Sequence, residues 1–431
     1  MRTFPKDRKS KALMALKVWQ LVFRIPLSAL SALLLILATF FDSVFDFDGD
    51  DPGQDVPVEQ HHSVTPYSLE KDLGMGSQND SMYFRTYAWC SACSSIYLPE
   101  QLCVGNQPHV KACTNIPYPR HPKNLGRRAC RNVVGDVTKV NGKSVFHPKV
   151  PYYYRSVLDQ LADMFARPTF EKQIEHWRTR DQIDGCLSDV YDGDVWTNNQ
   201  RFFSKDRSLA FMLNVDWFQP YERTQYSCGA VYLCILNLPR HLRYKKENMV
   251  LVSLLPGDKE KIQDLNELLQ PLIDELLILH DGCLLDVEGH DAGLLVYGKL
   301  LCISCDLPAA RKLVGIKSAN HCCSKCHKVF PRHDTERLNS IGNPIYWYDK
   351  SGNNYSEWEE RTNDEVRELG VQYLDCTSRT QQTDFLSANC VRYSVISQLP
   401  YFDMVQHVVV DPMHNLWMVG HINHIRYYNS C

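Results

Sequence analysis

The sequence predicts a mixed α/β fold built on one sheet, and three observations carry that prediction. Four short apolar runs rich in β-formers, 209–215, 229–238, 249–255 and 294–304, follow one another in the middle of the chain. A single amphipathic helical pattern, 262–280, separates the third run from the fourth. The first and last runs each lead into an aspartate, Asp216 and Asp306. Three strands, a helix and a fourth strand, with acids after the first and fourth strands, is the order of an RNase H-like core.

Each element has its own reason. The run 209–215 holds Leu, Phe and Val without a break, as a strand buried on both faces does. The run 249–255 closes on Pro256-Gly257, a turn signal. In 262–280 the leucines and isoleucines recur at intervals of three, four and seven, with Pro271 marking a kink or a break. Short links between the first three runs favour antiparallel neighbours, and the helix permits a crossover to a strand parallel to the first. Asp216 and Asp306 would then lie side by side. Paired carboxylates suit Mg²⁺ (or Mn²⁺), a hard ion that takes oxygen ligands. Two such ions about 4 Å apart serve phosphoryl transfer. The plain alternative is that both aspartates begin turns.

Composition narrows the class. The 431 residues allow two or three domains, with 44% hydrophobic and 23% charged residues, as in ordinary folded chains. The net charge of −3 gives no global attraction to nucleic acid, so such binding must come from local basic patches. Seventeen cysteines, an odd number, argue for reduced thiols, some of them on zinc, rather than a disulfide framework.

Residues 1–56 open with a basic start, then two apolar stretches split by Pro26, then an acidic linker over 42–55. The uninterrupted apolar run 27–41 is fifteen residues, short of the roughly 20 that span a bilayer, so two packed helices are expected. A membrane anchor over 24–41 is the alternative.

Residues 57–150 form a cysteine-rich module. Cys90 and Cys93 make a C-x-x-C pair that supplies two zinc ligands from one turn. Cys103, Cys113, His121 and Cys130 follow as candidates for the other two. Spacing does not choose among them, and Cys113 and Cys130 stand as the working pair. Buried free cysteines are the alternative. Six cations, Lys111, Arg120, Lys123, Arg127, Arg128 and Arg131, make the same segment basic, a surface for DNA or simply a solvated face. Residues 151–200 read as a helical connector ending in an acidic turn, 189–196, which needs no metal to explain it. The core, 201–330, closes on a second C-x-x-C pair, Cys323 and Cys326, half of another zinc site. Residues 331–431 are expected to be a helical insertion region.

The segments NVDWFQPY, LCISCDLPAARKLVG, HCCSKCHKVFP, CVRYSVISQLPYFD and VVVDPMHNLWMVG resemble the transposases of CACTA (En/Spm-type) DNA transposons, animal and fungal copies above all. The N-terminal segments WQLVFRIPLSALSALL and WCSACSSIY extend the resemblance over most of the chain. It implies an RNase H-like DD(E/D) strand-transferase fold, with Asp216 and Asp306 as the first two acids. It implies zinc at Cys323 and Cys326, completed by a later histidine, for which His414 is the candidate. It implies DNA, in the form of transposon ends, as partner, self-association, and action in the nucleus. The related sequences continue past the Asp411-Pro-Met-His414 motif, where the third acid is expected, so the chain reads as a C-terminally truncated copy, inactive as it stands. Asp411 is the best remaining acid in range. A non-catalytic, zinc-stabilised binding protein is the rival reading.

Overall fold

The computed structural model describes residues 84–98, 112–140, 143–181, 185–218, 228–256, 265–317, 322–330, 332–338, 344–348 and 358–410. In chain order the first strands are β1 (Arg85–Trp89), β2 (Ile96–Tyr97), β3 (Gly135–Val140), β4 (Lys143–Pro148) and β5 (Pro151–Tyr154). The helices α1 (Val157–Phe165), α2 (Phe170–Ile174), α3 (Asp194–Thr197) and α4 (Gln200–Phe203) follow. The central elements are β6 (Ser208–Phe218), β7 (Cys228–Ile235), α5 (Arg240–Arg243), β8 (Met249–Leu255), α6 (Asn266–Asp281), β9 (Cys283–Val287), β10 (His290–Ile303) and α7 (Leu307–Leu313). The last are β11 (Arg332–Leu338), β12 (Pro344–Tyr348), α8 (Asn363–Asp375) and α9 (Arg379–Asn389).

Eight strands form one mixed sheet in the order β2-β1-β5-β8-β7-β6-β10-β9. β6, β7 and β8 are antiparallel neighbours, and β10 lies parallel to β6 after the α6 crossover. These are the strand directions that the link lengths predict. The sheet is covered on both sides, which explains why β6 reads as an unbroken apolar run. Leu209, Phe211, Leu213 and Val215 face a large core shared with α1, α6 and α7. Ala210 faces the opposite way, into a smaller cluster of Tyr191, Trp196, Phe203, Leu236 and Leu301. There Trp196 stacks on Phe203 with ring centroids 4.2 Å apart.

The structure differs from the sequence reading in four places. Pro271 lies inside α6 without ending it. Leu272, Ile273 and Leu276 on the next turns are fully buried, and at about 1.5–3 kcal/mol for each such side chain their burial outweighs the ~3 kcal/mol cost of an interior proline. The fourth strand starts at His290 rather than 294 and is preceded by β9, which pairs with it in a hairpin. Gly289, at φ 87°, makes that turn, and Gly293, at φ 69°, accommodates the register shift beyond it. Within the connector 151–200, read as helical, α2 ends at Ile174 and a 3-10 turn follows over His176–Thr179. Finally, the insertion region expected to be helical contains the β11–β12 pair ahead of α8 and α9.

The strands of the cysteine-rich segment extend the main sheet, because β1 pairs with both β2 and β5. Residues 1–83, including the apolar stretch 24–41, lie outside the described residues. Among the described residues no helix is long and apolar enough to cross a membrane.

One half-buried acid on α6 makes a pH test. Glu275 on α6 accepts the amide of Val157 at the start of α1 at 2.6 Å. Burial raises its carboxyl above the usual range. The folded state therefore binds this proton more tightly than the unfolded chain does. The contribution of this group is fully present below the ordinary glutamate value of ~4.3 and is lost as pH rises through the raised value. Glu275→Gln is expected to flatten that part of the profile and to raise stability at neutral pH, as urea melts of both proteins between about pH 4 and 7 will read.

Candidate functional site

β6 and β10 carry the two predicted acids to the same end of the sheet. Leu213 is registered with Ile303, and the amide of Ser304 continues the ladder onto the carbonyl of Leu213 at 3.0 Å. Asp216 and Asp306 each follow three residues beyond that pair, on adjacent parallel segments. Asp216 is exposed, opposite Ala230 of β7. Asp306 is half-buried and also caps α7, accepting the Ala309 amide at 2.8 Å. The turn-forming role weighed against catalysis is thus real for Asp306, and it engages one carboxylate oxygen.

Three neighbours of the acids were not singled out in the sequence. Asn214 donates its side-chain amide to the Ser304 carbonyl, pinning β6 to the segment that carries Asp306. Cys305, the residue before Asp306, is buried. It takes the amide of Val215 at 3.1 Å, and burial, with the charges of Asp306 and Asp216 adding, pushes its thiol up to about 12. Lys312 of α7 lies 5.5 Å above the ring of Trp217, which brings a cation to the acid-bearing end. A polar residue inside an apolar strand, two positions before an acid, is the signal that could have found Asn214.

The chain returns to this end much later. Val408 makes a parallel bridge to Ile303, with the Val409 amide 2.8 Å from the Ile303 carbonyl. The apolar run Val408–Val410 therefore lies beside β10, three residues ahead of Asp306. Asp411 and His414 lie outside the described residues. Among the described residues no group of three or more His, Cys, Asp or Glu ligand atoms includes Asp216 and Asp306.

Such a group does form at the other end of the molecule. The ligand atoms of Cys90, Cys93, Cys113 and Cys130 all lie within 4.8 Å of one another. The sulfurs of Cys90 and Cys130 are 3.8 Å apart, and those of Cys93 and Cys113 are 3.4 Å apart. A tetrahedron with the usual zinc–sulfur distance of ~2.3 Å has edges of about 3.8 Å, so the donor set fits a Cys₄ zinc centre in type and size. Two backbone turns build it. The Cys90 amide meets the Ser95 carbonyl at 2.8 Å and the Ser94 amide meets the Cys90 carbonyl, also at 2.8 Å. On the other side Cys113 and Arg131–Asn132 exchange backbone hydrogen bonds of 2.7 and 2.9 Å. Ser94 and Arg131 take the left-handed conformation, at φ 63° and 57°. The four thiols are unequal. Burial works to raise Cys93, but hydrogen bonds from Ser95 and Asn115 bring it down to about 7, while burial pushes Cys113 up to about 12. His121, one of the four residues left open by spacing, instead takes the amide of Lys123 at 3.0 Å. Cys103 lies outside the described residues.

Cys323 and Cys326 also come together, and the amide of Lys325 points at the Cys323 sulfur at 3.3 Å. Among the described residues no third ligand atom joins them. Lys325 turns inward, donating to the carbonyls of Val405 and Val408. Cys322, fully buried, pairs instead with Cys390, a partner 68 residues on that its position in the sequence does not suggest.

In the acidic turn before the core, Asp189 and Asp192 have structural roles. Asp189 holds the buried guanidinium of Arg243 through two hydrogen bonds, 2.9 and 3.1 Å. Asp192 is paired with Arg180, whose hydrogen bond holds its carboxyl well below the usual range.

Comparison with known proteins falls on the acid-bearing part of the molecule. A family model described as transposase family tnp2 matches residues 184–344. That segment is similar to transposases and contains β6 to β11, both acids and the Cys323–Cys326 pair. The Cys₄ cluster lies outside it. No curated protein matches the chain.

Proposed function

We propose that this protein is transposase-like, with an RNase H-like core derived from a DNA-cleaving, strand-transferring enzyme of the CACTA type that its motifs resemble, acting in the nucleus. One observation carries the reading. Parallel pairing of β6 with β10 brings Asp216 and Asp306 to one end of adjacent strands, inside the segment similar to transposases. The strand order β8-β7-β6-β10, three antiparallel and a parallel fourth, supports the fold assignment, as does the bridge of Val408 on the far side of β10. Asp216 and Asp306 would hold Mg²⁺ or Mn²⁺, which supplies polarisation of the phosphate and of the attacking oxygen. The chain's own part is placement. Asn214 holds the two acid-bearing segments in register, and Lys312, over Trp217, adds positive charge beside the phosphate. Zn²⁺ at Cys90, Cys93, Cys113 and Cys130 is structural in this reading.

A strand-cleavage assay on transposon-end duplexes with Mg²⁺ or Mn²⁺ tests it. Asp216→Ala or Asp306→Asn is expected to lower cleavage on the order of a thousandfold or more, since a lost metal ligand removes several kcal/mol of transition-state stabilisation. Equal cleavage by wild type and Asp216→Ala would remove Asp216 from the mechanism. A second reading, a zinc-stabilised binding protein that keeps the fold without the chemistry, is favoured by the use of Asp306 as a helix cap. It predicts DNA binding without cleavage.

A further inference from the structure

Away from the acid site, the loop that the Cys₄ cluster closes concentrates positive charge. Between Glu100 and Asp136 the chain has no acidic residue and six cations. Five of these, Arg120, Lys123, Arg127, Arg128 and Arg131, are described and exposed. Among the described residues the only ion pair from this set is Arg120 with Asp375, 3.2 Å apart and well exposed on both sides. Lys123, Arg127, Arg128 and Arg131 have no carboxylate partner among the described residues, in a chain whose net charge is −3. Uncompensated positive charge concentrated on one loop is the electrostatic footprint of a polyanion site.

The loop is built rather than merely exposed. Its stem is a short ladder: Ala112 bridges Val133, and the Cys130 amide meets the Asn115 carbonyl at 2.7 Å. Within it the Gly126 amide bonds the Lys123 carbonyl at 3.0 Å, and a Cβ at Gly126 would stand 2.2 Å from the His121 ring, so only glycine fits there. Two contacts brace the loop from outside: Tyr118 donates to Gln382 at 3.0 Å, and Arg120 to the Leu374 carbonyl at 3.0 Å. Leu125, 68% exposed, sits at the tip between Lys123 and Arg127. An apolar tip flanked by cations suits a nucleic-acid groove, where the cations take phosphates and the apolar group meets sugar or base edges.

We propose that the loop between Cys113 and Cys130 binds the phosphate backbone of duplex DNA, and that metal at the Cys₄ cluster is what holds the loop in its binding shape. The inference rests on the DNA-acting reading above, but it assigns the contact to a segment outside the transposase-like match. The two cysteines that end the loop are both members of the cluster, so loading the cluster closes the loop covalently through the ion. The contacts are to phosphates, which makes the binding tolerant of sequence and steep in salt.

Fluorescence anisotropy of the full chain with a short mixed-sequence duplex, over a series of NaCl concentrations, tests the proposal. Each phosphate contact contributes a slope of about −0.9 in log K against log salt. The triple variant Lys123→Gln, Arg127→Gln, Arg128→Gln is expected to make the slope shallower by ~2.7 and to weaken binding on the order of a hundredfold at about 0.1 M salt. Its zinc content and circular dichroism should match wild type, because none of the three is a ligand. A control triple, Lys172→Gln, Arg201→Gln, Lys246→Gln, removes the same charge from exposed positions elsewhere and should change the slope far less. Stripping the metal should reproduce the loop variant's loss. An unchanged slope in the loop triple, with DNA still bound, overturns the loop surface and leaves the DNA-acting reading standing. Failure of the wild-type chain to bind duplex at low salt overturns both. Preference for single-stranded RNA over duplex DNA at equal salt overturns the choice of partner.

Discussion

Stripping metal from the reduced protein, or replacing Cys113 with serine, is expected to unfold the cysteine-rich segment while the main sheet from β5 onward stays folded. The reason is the size of the local core. Among the described residues Ala88, Cys90, Cys113 and Val134 form the buried cluster there, and two of the four are themselves ligand candidates. A core that small cannot offset the entropy of ordering the segment, so a staple must supply the difference. Structural zinc supplies about 10–16 kcal/mol in small sites near neutral pH. Wild-type protein purified under reducing conditions should therefore carry zinc, Cys113→Ser should lose it, and hydrogen exchange should show protection lost over 85–98 and 112–135 alone. The pH dependence has a definite sign. Ligand thiols must lose their protons to bind, and the metal-free Cys113 thiol lies at about 12 through burial. Metal affinity therefore falls as pH falls, and acid should release zinc before the sheet melts. Metal-free protein with unaltered protection in this segment would end the stapled-module reading.

The second large effect is expected at Arg243. Its side chain is 5% exposed, and each of its three nitrogens donates a hydrogen bond. It forks onto Asp189, donates to the Tyr191 hydroxyl at 3.1 Å and reaches the Leu238 carbonyl at 3.2 Å. Tyr191 in turn donates to the carbonyls of Leu236 and Asn237, both at 2.9 Å. The network thus ties the acidic turn to the end of β7. Arg243→Ala leaves Asp189 charged, mostly buried and unpaired, and is expected to cost about 3–5 kcal/mol, read as a lower urea midpoint. Arg243→Lys keeps the charge but loses the planar fork, and should recover only part of the loss. If both variants melt like wild type, the network contributes little and the turn is held by its aromatic packing instead.

Much of the site was legible in the residues. Asp216 and Asp306 stood out because each ends an apolar run, and the link lengths gave the strand directions. The four cysteines near the N-terminus were identifiable by type, although spacing left Cys103 and His121 as rivals to Cys113 and Cys130. Backbone hydrogen bonds between Cys113 and Arg131–Asn132 bring the stretches that carry Cys113 and Cys130 together, and no local pattern encodes them. The β9 strand was missed because Cys283–Val287 is short and merges with the helical pattern before it. Asn214, Cys305 and the pairing of Cys322 with Cys390 were missed because each depends on a neighbour distant in the chain.

The sequence by itself determined the elements and the chemistry available to them. Its periodicities placed the strands and helices, its acids sit at strand ends, and its soft ligands come in C-x-x-C pairs. What only the tertiary structure decided is which of these groups meet. Register is cooperative: Asp216 and Asp306 come to the same end of the sheet because a whole ladder from Ser208 to Leu213 pairs with β10, and no one residue specifies that. The same holds for the Cys₄ cluster, whose members are brought within 4.8 Å of one another by the turn at Cys90–Ser95 and the backbone pairing of Cys113 with Arg131–Asn132. Local pattern sets the period of each segment, but contact between segments follows from burying all their apolar faces at once.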